Sequence, residues 1–401
     1  MKEQTFSEKE IINLLTKINC FKRDEQVEVK EIGNGNINTV FRAIGSQKSF
    51  IIKKAYPYVR VSNGSWPLSP DRTAMEVNAL KLQNQLAAGL VPNVIYADLE
   101  NSIIVMEDLS HLEILRDGMN KMIKYPLLSE SVSTFFANII FFTSDFFVES
   151  ETKKKQVKSF LNVELCKISE DLIFTEPYYN AERNNINPSL FPFIESVFWK
   201  NDQVKIEIAK LKYKFLTASE SLLHGDLHTG SVFAGEKEIK IFDPEFAFYG
   251  PSGFDIGLLT GNLFINYFSW DFQNVSNQEK NEYQKYILNT VSDIYIKFQA
   301  KFIDNWDKNL KDLSFKNNKF LTYFLNNLFC DAIGFAAAAM IRRMHGFAHN
   351  IDIDRIENLT LRSQAQIKIL ETASKLILKR HLYRNIDDVA KEIDPNYTHS
   401  K

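Results

Sequence analysis

Two polar segments, each enclosed by apolar residues, constrain this chain more than any other feature. They are the run LLHGDLHTGS at 222–231 and the run IKIFDPE at 239–245, which the pattern of apolar residues places at the ends of two strands. Asp226 of the first run and Asp243 of the second are 17 positions apart. Acids flanked by isoleucine and phenylalanine are more typical of a functional site than of a solvated surface, so we expect both segments to carry function.

The acids in these segments suit different chemical roles. Asp226 is suited to accept a proton from an attacking hydroxyl, a role typically worth about 10²- to 10⁴-fold in rate. Asp243 and Glu245 are two positions apart on an extended stretch, so their side chains point to the same face and can jointly hold a hard divalent ion such as Mg²⁺. The sequence therefore predicts a general base near a metal site.

A second candidate site lies nearer the N-terminus, between two predicted strands. A P-loop is excluded there because no Gly-Lys-Ser/Thr follows, and a Rossmann turn is excluded because the next segment has a strand pattern where that fold needs a helix. What remains is a hairpin lid whose backbone amides approach phosphate oxygens, or a plain hairpin turn. The segment consists of Gly33, Asn34, Gly35 and Asn36.

Lys53 and Glu76 extend this second site. Lys53 ends the third predicted strand, 18 positions after Gly35, and Glu76 lies in a helix predicted over residues 72–86. A lysine in that place can neutralise phosphate charge beneath the lid, and the glutamate can hold the lysine by an ion pair. Each residue alone could be an ordinary surface residue, but the order lid, lysine, helical glutamate favours a nucleotide site.

Two histidine pairs raise the competing hypothesis of a metal hydrolase. His224 and His228 are four positions apart, as are His345 and His349, but glycine follows the first histidine of each pair, where a zincin needs glutamate. We expect His228 to hydrogen-bond the backbone of its own turn, and His345 and His349 to be helix-surface or packing residues. The sequence contains no GxSxG elbow, which disfavours a serine hydrolase.

The length of 401 residues predicts two lobes in a globular α+β protein. Residues 1–107 read as a capped helix, five strands and a further helix, and residues 108–401 are mostly helical. Forty-eight basic against fifty acidic residues give no excess for binding nucleic acid, and three scattered cysteines fit a reducing cytoplasm. No apolar stretch reaches the roughly 20 residues of a membrane span, so we expect no membrane association.

The order of these features resembles the protein-kinase-like fold of small-molecule kinases of the aminoglycoside-phosphotransferase and choline-kinase type. The HGDLHTGS and DPEFAFYGP runs, the segments YVR at 58–60 and SWP at 65–67, and the pair Arg342-Arg343 are similar to those of the methylthioribose kinase family. The resemblance implies a bilobal α+β fold, with an antiparallel-sheet N-lobe and a mainly helical C-lobe.

The resemblance also implies an activity, which is the ATP-dependent phosphorylation of 5-methylthio-D-ribose at its C1 hydroxyl. In that case Asp226 is the base, and Asp243 and Glu245 hold Mg²⁺. The remaining residues that it implies are Arg342, Arg343 and Trp66 at the sugar, and Gly33, Asn34, Gly35, Asn36, Lys53, Glu76, Met106, Glu107 and Leu109 at ATP. The family further implies a homodimer, for which the residues themselves give no independent indication.

Several alternatives remain open at this point. Arg342 and Arg343 could simply end a helix, and Trp66 could anchor its loop. Ser231 stands where a protein kinase carries a metal-binding asparagine, so its role is undetermined, and Asn38 replaces the third glycine of a protein-kinase lid. The rival functions are a kinase of the same fold acting on choline, homoserine or an aminoglycoside, and a nucleotide-binding scaffold without catalysis.

Overall fold

The computed structural model describes residues 6–32, 38–58 and 67–399. Its N-terminal part contains a five-stranded antiparallel sheet, and the part that follows is mostly helical. Five predicted ligand contacts lie outside the described residues. They are Gly33, Asn34, Gly35, Asn36 and Trp66.

The chain begins with the capped amphipathic helix that the sequence predicts. Helix α1 (Glu8–Lys17) starts at Ser7, whose side chain accepts the N–H of Glu10 while the Glu10 carboxylate accepts the N–H of Ser7. This reciprocal pair satisfies two donors that a helix end otherwise leaves unpaired. Ile11 and Leu15 are fully buried against the sheet, so α1 covers one side of it.

The N-terminal sheet places Lys53 in a central strand. Its strands are ordered β1-β2-β3-β5-β4, and every neighbouring pair is antiparallel. Lys53 lies opposite Val40 on one side and Ile104 on the other. The strand bounds are β1 (Glu28–Glu31), β2 (Asn38–Ile44), β3 (Ser49–Ala55), β4 (Val94–Asp98) and β5 (Ile103–Glu107).

Helix α2 (Arg72–Leu86) has the predicted bounds but a different buried face. The apolar spacing predicts a face of Met75, Ala79, Leu82 and Leu86, of which only Ala79 is fully buried. The buried positions include Glu76 and Gln83 instead. The helix is turned so that Glu76 reaches the sheet, which apolar periodicity alone does not predict.

The helical part of the chain is organised around α9, which is buried along its whole length. Gly257 and Gly261 allow α11 to approach it closely, because a Cβ at either position would lie within 2.6 Å of a backbone oxygen of α11. The helices are α3 (Leu115–Met119), α4 (Leu128–Phe142), α5 (Ser150–Ser159), α6 (Val163–Leu172), α7 (Phe191–Ile194), α8 (Asp202–Thr217), α9 (Phe254–Ser269), α10 (Asn277–Asn309), α11 (Asn318–His345), α12 (Ile351–Asp354), α13 (Leu359–Lys379) and α14 (Ile386–Ile393).

Five short strands frame the two polar segments. Strands β6 (Glu113–Ile114), β8 (Val232–Ala234) and β9 (Ile239–Ile241) form one small sheet, and β7 (Ser221–Leu222) pairs with β10 (Tyr249–Gly250). The HGD run therefore connects β7 to β8, and the DPE run connects β9 to β10. Both segments lie at strand ends, as the sequence predicts.

Helix α11 is the one helix of the described ranges that has the length and apolar composition to cross a membrane. Of its most apolar 18-residue window, 72% is buried inside the protein, which is the placement of a core helix in a globular fold. The helix runs for 28 residues because polar residues extend the apolar stretch at both ends.

The sequence of the cluster Lys153-Lys154-Lys155 predicts a solvated loop or helix face rather than a binding patch, and only two of the three lysines are exposed. Lys153 is 3% exposed, donates to the carbonyl oxygen of Glu220 at 2.8 Å and lies over the ring of Tyr249. The other two lysines are exposed on α5. The prediction is wrong for Lys153 because its partners come from distant parts of the chain.

Candidate active site

The ammonium group of Lys53 lies within a cluster of three carboxylates. Its Nζ is 2.8 Å from Oε2 of Glu76, donates a hydrogen bond to Asp243, and is 4.0 Å from Oε2 of Glu245. Lys53 itself is 8% exposed. The structure therefore brings together a strand lysine, a helical glutamate and both acids of the DPE run.

Burial and neighbouring charges compete within this cluster. Burial favours neutral Lys53, but Asp243, Glu76 and Glu245 raise the pKa of the lysine well above its usual value. Burial raises the pKa of Glu76 to about 7 even though Lys53 opposes the shift, and it raises the pKa of Glu245 as well. The lysine stays charged, and a second cation would relieve the repulsion among the carboxylates.

The donor atoms in this cluster fit a hard divalent cation. Carboxylate oxygens of Glu76, Asp243 and Glu245 all lie within 4.8 Å of one another. Oxygen donors of this kind suit Mg²⁺ or Ca²⁺ better than softer metals. Asp243 has a φ of 68°, a left-handed conformation that aspartate tolerates better than most residues, and its side chain is 40% exposed. It is thus the most accessible of the three carboxylates.

Asn38 and Arg72 hold Glu245 in place. The side-chain amide of Asn38 donates to Oε2 of Glu245 at 2.8 Å, and Arg72 donates to the amide oxygen of Asn38 at 2.8 Å. Nε of Arg72 is also 3.7 Å from the same glutamate oxygen. In the sequence Asn38 is only a departure from the glycine lid of protein kinases. In the structure it links β2 to the DPE run.

The loop that carries Asp226 contacts the residues that immediately precede and follow the DPE run. Gly225 has a φ of +86°, and a Cβ there would lie 2.1 Å from the carbonyl oxygen of Phe246, so only glycine fits. His224 donates through Nε2 to the carbonyl oxygen of Phe242 at 2.8 Å. Asp255, in the first turn of α9, accepts the N–H groups of His224 and Gly225 at 2.6 Å and 3.0 Å. No pattern in the sequence indicates this role for Asp255.

Asp226 carries a negative charge in cationic surroundings. Its Oδ2 is 3.5 Å from Nε2 of His228, and its Oδ1 is 4.0 Å from a terminal nitrogen of Arg342. Burial alone would raise the pKa of Asp226, but His228, Arg342 and Arg343 lower it well below its usual value. The side chain is 28% exposed, so an ionised carboxylate faces a space that a substrate can reach.

Two adjacent arginines lie at the end of α11 beside this carboxylate. Nε of Arg342 is buried and has no hydrogen-bond partner among residues 6–32, 38–58 and 67–399. Burial lowers the pKa of Arg343, and the nearby Arg342 and Arg116 lower it further. Buried guanidinium groups are normally paired, so an excess of positive charge at this point suits an anionic ligand. Both arginines also lie in the last turn of α11, which is where the alternative role of ending a helix would place them.

Arg116, which the sequence does not single out, belongs to the same region. From α3 it donates to Oγ1 of Thr229 at 3.1 Å and to the amide oxygen of Asn262 at 3.3 Å, and it lies 3.8 Å from Oδ2 of Asp352. It therefore connects the loop after Asp226 to α9 and α12. A single arginine in a short helix has no pattern that would have revealed this role.

The histidine pairs form hydrogen bonds that disfavour a metal hydrolase. His345 is fully buried, with Nε2 2.8 Å from the carbonyl oxygen of Pro177, and Nε2 of His349 is 2.6 Å from that of Asn185. His228 accepts the N–H of Gly230 at 3.0 Å, which confirms the predicted backbone hydrogen bond. These rings serve packing and loop structure.

The predicted adenine contacts lie where the sheet ends. Met106 and Leu109 are 8% and 4% exposed. The backbone N–H of Glu107 donates to the carbonyl oxygen of Asn93 at 3.0 Å, and the Glu107 carboxylate is 3.4 Å from Nζ of Lys240. Adenine would therefore have to use other backbone groups of this segment than the Glu107 amide.

Comparison with known proteins identifies the family. No protein-family model matches the chain. The methylthioribose kinase of Geobacillus sp. (strain WCH70) is 40% identical over 388 residues, which cover 96% of this chain and 94% of that protein. The chain belongs to the methylthioribose kinase family. The methylthioribose kinase of Bacillus cereus (strain G9842) is also 40% identical, over 89% of this chain and 88% of that protein.

A solved structure supports the fold assignment. The choline kinase from Cryptosporidium parvum Iowa II superposes with a TM-score of 0.50 at 13% identity, covering 97% of this chain and 98% of that chain. At this identity the likeness concerns the fold alone. The predictions of a protein-kinase-like α+β fold and of a phosphotransferase in the methylthioribose kinase family are confirmed.

Proposed function

We propose that the protein transfers the γ-phosphoryl group of ATP to the C1 hydroxyl of 5-methylthio-D-ribose, a reaction of methionine salvage. Membership of the methylthioribose kinase family supports this substrate. The observation that carries the chemistry is the ionised Asp226, whose loop is bonded to both flanks of the acidic DPE run. These contacts hold the proposed base and the carboxylate cluster at fixed positions relative to each other.

Asp226 accepts the proton of the attacking hydroxyl. The C1 oxygen forms a bond to the γ-phosphorus, the bond from that phosphorus to the bridging oxygen breaks, and ADP leaves. An anomeric hydroxyl is more acidic than an ordinary alcohol, and phosphoryl transfer depends mainly on positioning and charge neutralisation. A carboxylate with a low pKa is adequate for this role because it needs to take the proton only as the new bond forms.

The nucleotide is held by the cluster around Lys53. Lys53, oriented by Glu76, approaches the phosphates, and Asp243 and Glu245 would hold Mg²⁺, which would neutralise phosphate charge. Adenine is assigned to Met106, Glu107 and Leu109. The lid residues assigned to the phosphates, which lie outside the described residues, are Gly33, Asn34, Gly35 and Asn36.

Arg342 and Arg343 are assigned to the sugar and the phosphoryl group in transfer. Two half-buried arginines beside the base repel a cationic acceptor, which disfavours choline and aminoglycosides as substrates. Trp66, which lies outside the described residues, is assigned to shelter the apolar methylthio group. A scaffold without catalysis is disfavoured because it would not need an ionised acid at position 226.

The cellular setting is proposed from the family resemblance. We assign the protein to the cytoplasm as a homodimer, with the lobe boundary between residues 107 and 108 and without nucleic-acid or membrane partners. Light scattering coupled to size exclusion tests the dimer, and a monomer mass at micromolar concentration would reject it.

A coupled assay of ADP release tests the activity. Methylthioribose with ATP and Mg²⁺ should give turnover, whereas ribose, which lacks the methylthio group, and choline should give much less. Asp226→Asn should lose most of the turnover while still binding ATP in a fluorescence or calorimetric titration. Full turnover in that variant would reject Asp226 as the base, and equal rates with choline would reject the proposed substrate.

A further inference from the structure

We infer that His228 is a positioning residue for the base: it fixes one carboxylate oxygen of Asp226 and leaves the other for the substrate hydroxyl. This inference rests on the proposed function, because it takes Asp226 as the base. The family comparisons do not assign a role to His228. The contacts that carry it lie within residues 226–231.

The loop backbone determines which nitrogen of His228 carries the proton. Nδ1 accepts the N–H of Gly230 at 3.0 Å and lies 3.2 Å from Oγ of Ser231. A ring nitrogen that accepts a backbone N–H has no proton of its own, so a neutral ring carries its proton on Nε2. Nε2 is the atom that faces Oδ2 of Asp226 at 3.5 Å. The ring therefore directs an N–H toward the carboxylate.

The surroundings of His228 keep it neutral. Burial lowers its pKa to about 4, against the opposing effect of Asp226, and the positive charges of Arg116 on α3 and Arg343 on α11 lower it further. Near neutral pH the ring is therefore a directional hydrogen-bond donor and contributes no net charge. The positive charge beside Asp226 comes from the arginines, and the orientation comes from His228.

The two oxygens of Asp226 are consequently inequivalent. Oδ2 faces His228, whereas Oδ1 faces the side where Arg342 lies at 4.0 Å. Ser231 also contributes, because its hydroxyl donates to the backbone oxygen of Asp226 at 3.1 Å. The residue that replaces the asparagine of protein kinases thus fixes the main chain of the base. Oδ1, on the side of the proposed phosphoryl site, is the oxygen that takes the substrate proton.

Two substitutions of His228 separate orientation from loop structure. His228→Asn keeps an oxygen near the position of Nδ1 that can accept the N–H of Gly230, but it lacks the donor toward Asp226. His228→Gln places an amide nitrogen near the position of Nε2 and retains that donor. We expect kcat of the Asn variant to fall roughly 10- to 100-fold, with KM for ATP and the thermal midpoint unchanged. The Gln variant should recover most of the lost kcat.

The controls distinguish this inference from the proposed function. Full turnover in Asp226→Asn would reject the base and with it the role of His228, whereas a parent protein without turnover of methylthioribose would reject the proposed function. An inactive Asp226→Asn variant alongside a fully active His228→Asn variant would reject only the role of His228. If both His228 variants lose kcat to the same extent and their thermal midpoints fall by the same amount, the role of His228 is also rejected, because that pattern indicates structural damage. Nitrogen-15 NMR of the ring near neutral pH should show Nδ1 unprotonated, and a protonated Nδ1 would contradict the inference.

Discussion

Asn162 donates its side-chain amide to the carbonyl oxygens of Glu245 and Ala247, at 2.7 Å and 3.2 Å. Asn162 directly precedes α6 and is 7% exposed. The DPE run is therefore tied to α6 as well as to the N-terminal sheet and the Asp226 loop. The position of its acids depends on a part of the chain that carries no recognisable motif.

Asn162→Ala should weaken divalent-cation binding. The substitution leaves two buried carbonyl oxygens without their donor, which typically costs about 1–3 kcal/mol, and frees the backbone of Glu245. We expect the Mg²⁺ concentration for half-maximal activity to rise while KM for the sugar is unchanged. Asn201→Ala is the matched control, because Asn201 caps α8 with its side chain. It should lower stability without altering the Mg²⁺ dependence, and an equal Mg²⁺ shift in both variants would contradict the assignment.

Arg342→Ala or Arg343→Ala should impair turnover with methylthioribose more than affinity for ATP. Removing a cation that stabilises charge in the transition state typically costs roughly 10²- to 10³-fold in kcat. Steady-state kinetics and an ATP titration measure the two effects separately. Arg362→Ala is a suitable control, because Arg362 donates only to the backbone oxygens of Ile356 and Asp354 in the described ranges. Unchanged kinetics in both α11 variants would remove the pair from the site.

Gly225→Ala should abolish activity and reduce the amount of folded protein. The new Cβ would lie 2.1 Å from the carbonyl oxygen of Phe246, in a backbone conformation that L-residues rarely adopt. Gly89→Ala provides the comparison, because Gly89 has a φ of +80° but no atom within 4 Å of the added Cβ. It should cost only about 1 kcal/mol, from the backbone conformation. Circular dichroism melting and the coupled assay test both variants, and similar losses in the two would refute the steric argument.

Lys53→Ala should make the free energy of unfolding depend more strongly on pH and on divalent ions than it does in the parent protein. Glu76 already has a folded pKa of about 7 against a usual 4.5, and losing the lysine raises it further. A folded-state pKa above the unfolded value means that the folded protein binds more protons, so stability rises as the pH falls from about 8 to about 6. Urea unfolding should show this trend, and added Mg²⁺ should restore stability near pH 8. The neighbouring Lys54→Ala should keep the pH and Mg²⁺ dependence of the parent protein.

His345 should make the protein less stable in mild acid. Burial lowers its pKa from 6.5 to about 4, so between these values the unfolded chain binds the proton more readily. The contribution of neutral His345 to the free energy of unfolding is fully present above about pH 6.5. It is lost progressively down to about pH 4, at roughly 1.4 kcal/mol per pH unit. His345→Gln should flatten the fall in unfolding free energy between about pH 7 and pH 5. Parallel curves for the parent and the variant would refute this account.

The sequence predicts best those elements and site residues that a local pattern of neighbouring residues determines. The capping box predicts α1, and short runs of strand-forming residues separated by turn residues predict the five strands of the N-terminal sheet. Asp243 was found because it follows a predicted strand, and Lys53 because it was expected to end one. In the structure β3 continues beyond Lys53 to Ala55. These features require only the geometry of a few neighbouring residues.

The residues that sequence analysis missed act through contacts between distant segments. Asn38 and Glu245 are 207 positions apart, and Asp255 reaches its loop from the start of a separate helix. Glu76 shows the same limit within an element, because its ion pair with Lys53 turns α2 away from the face that apolar spacing predicts. Periodicity describes one segment at a time and carries no information about which segments meet.

The contact of Glu107 with Lys240 has a mechanical consequence. It joins the last strand of the N-terminal sheet to β9, and the N–H of Ile241 adds a hydrogen bond to the carbonyl oxygen of Leu90 at 2.7 Å. Strand β9 leads directly into Asp243. A displacement of β5 relative to β9 would therefore shift this carboxylate, so the affinity of the proposed Mg²⁺ site would change with the position of the N-terminal sheet.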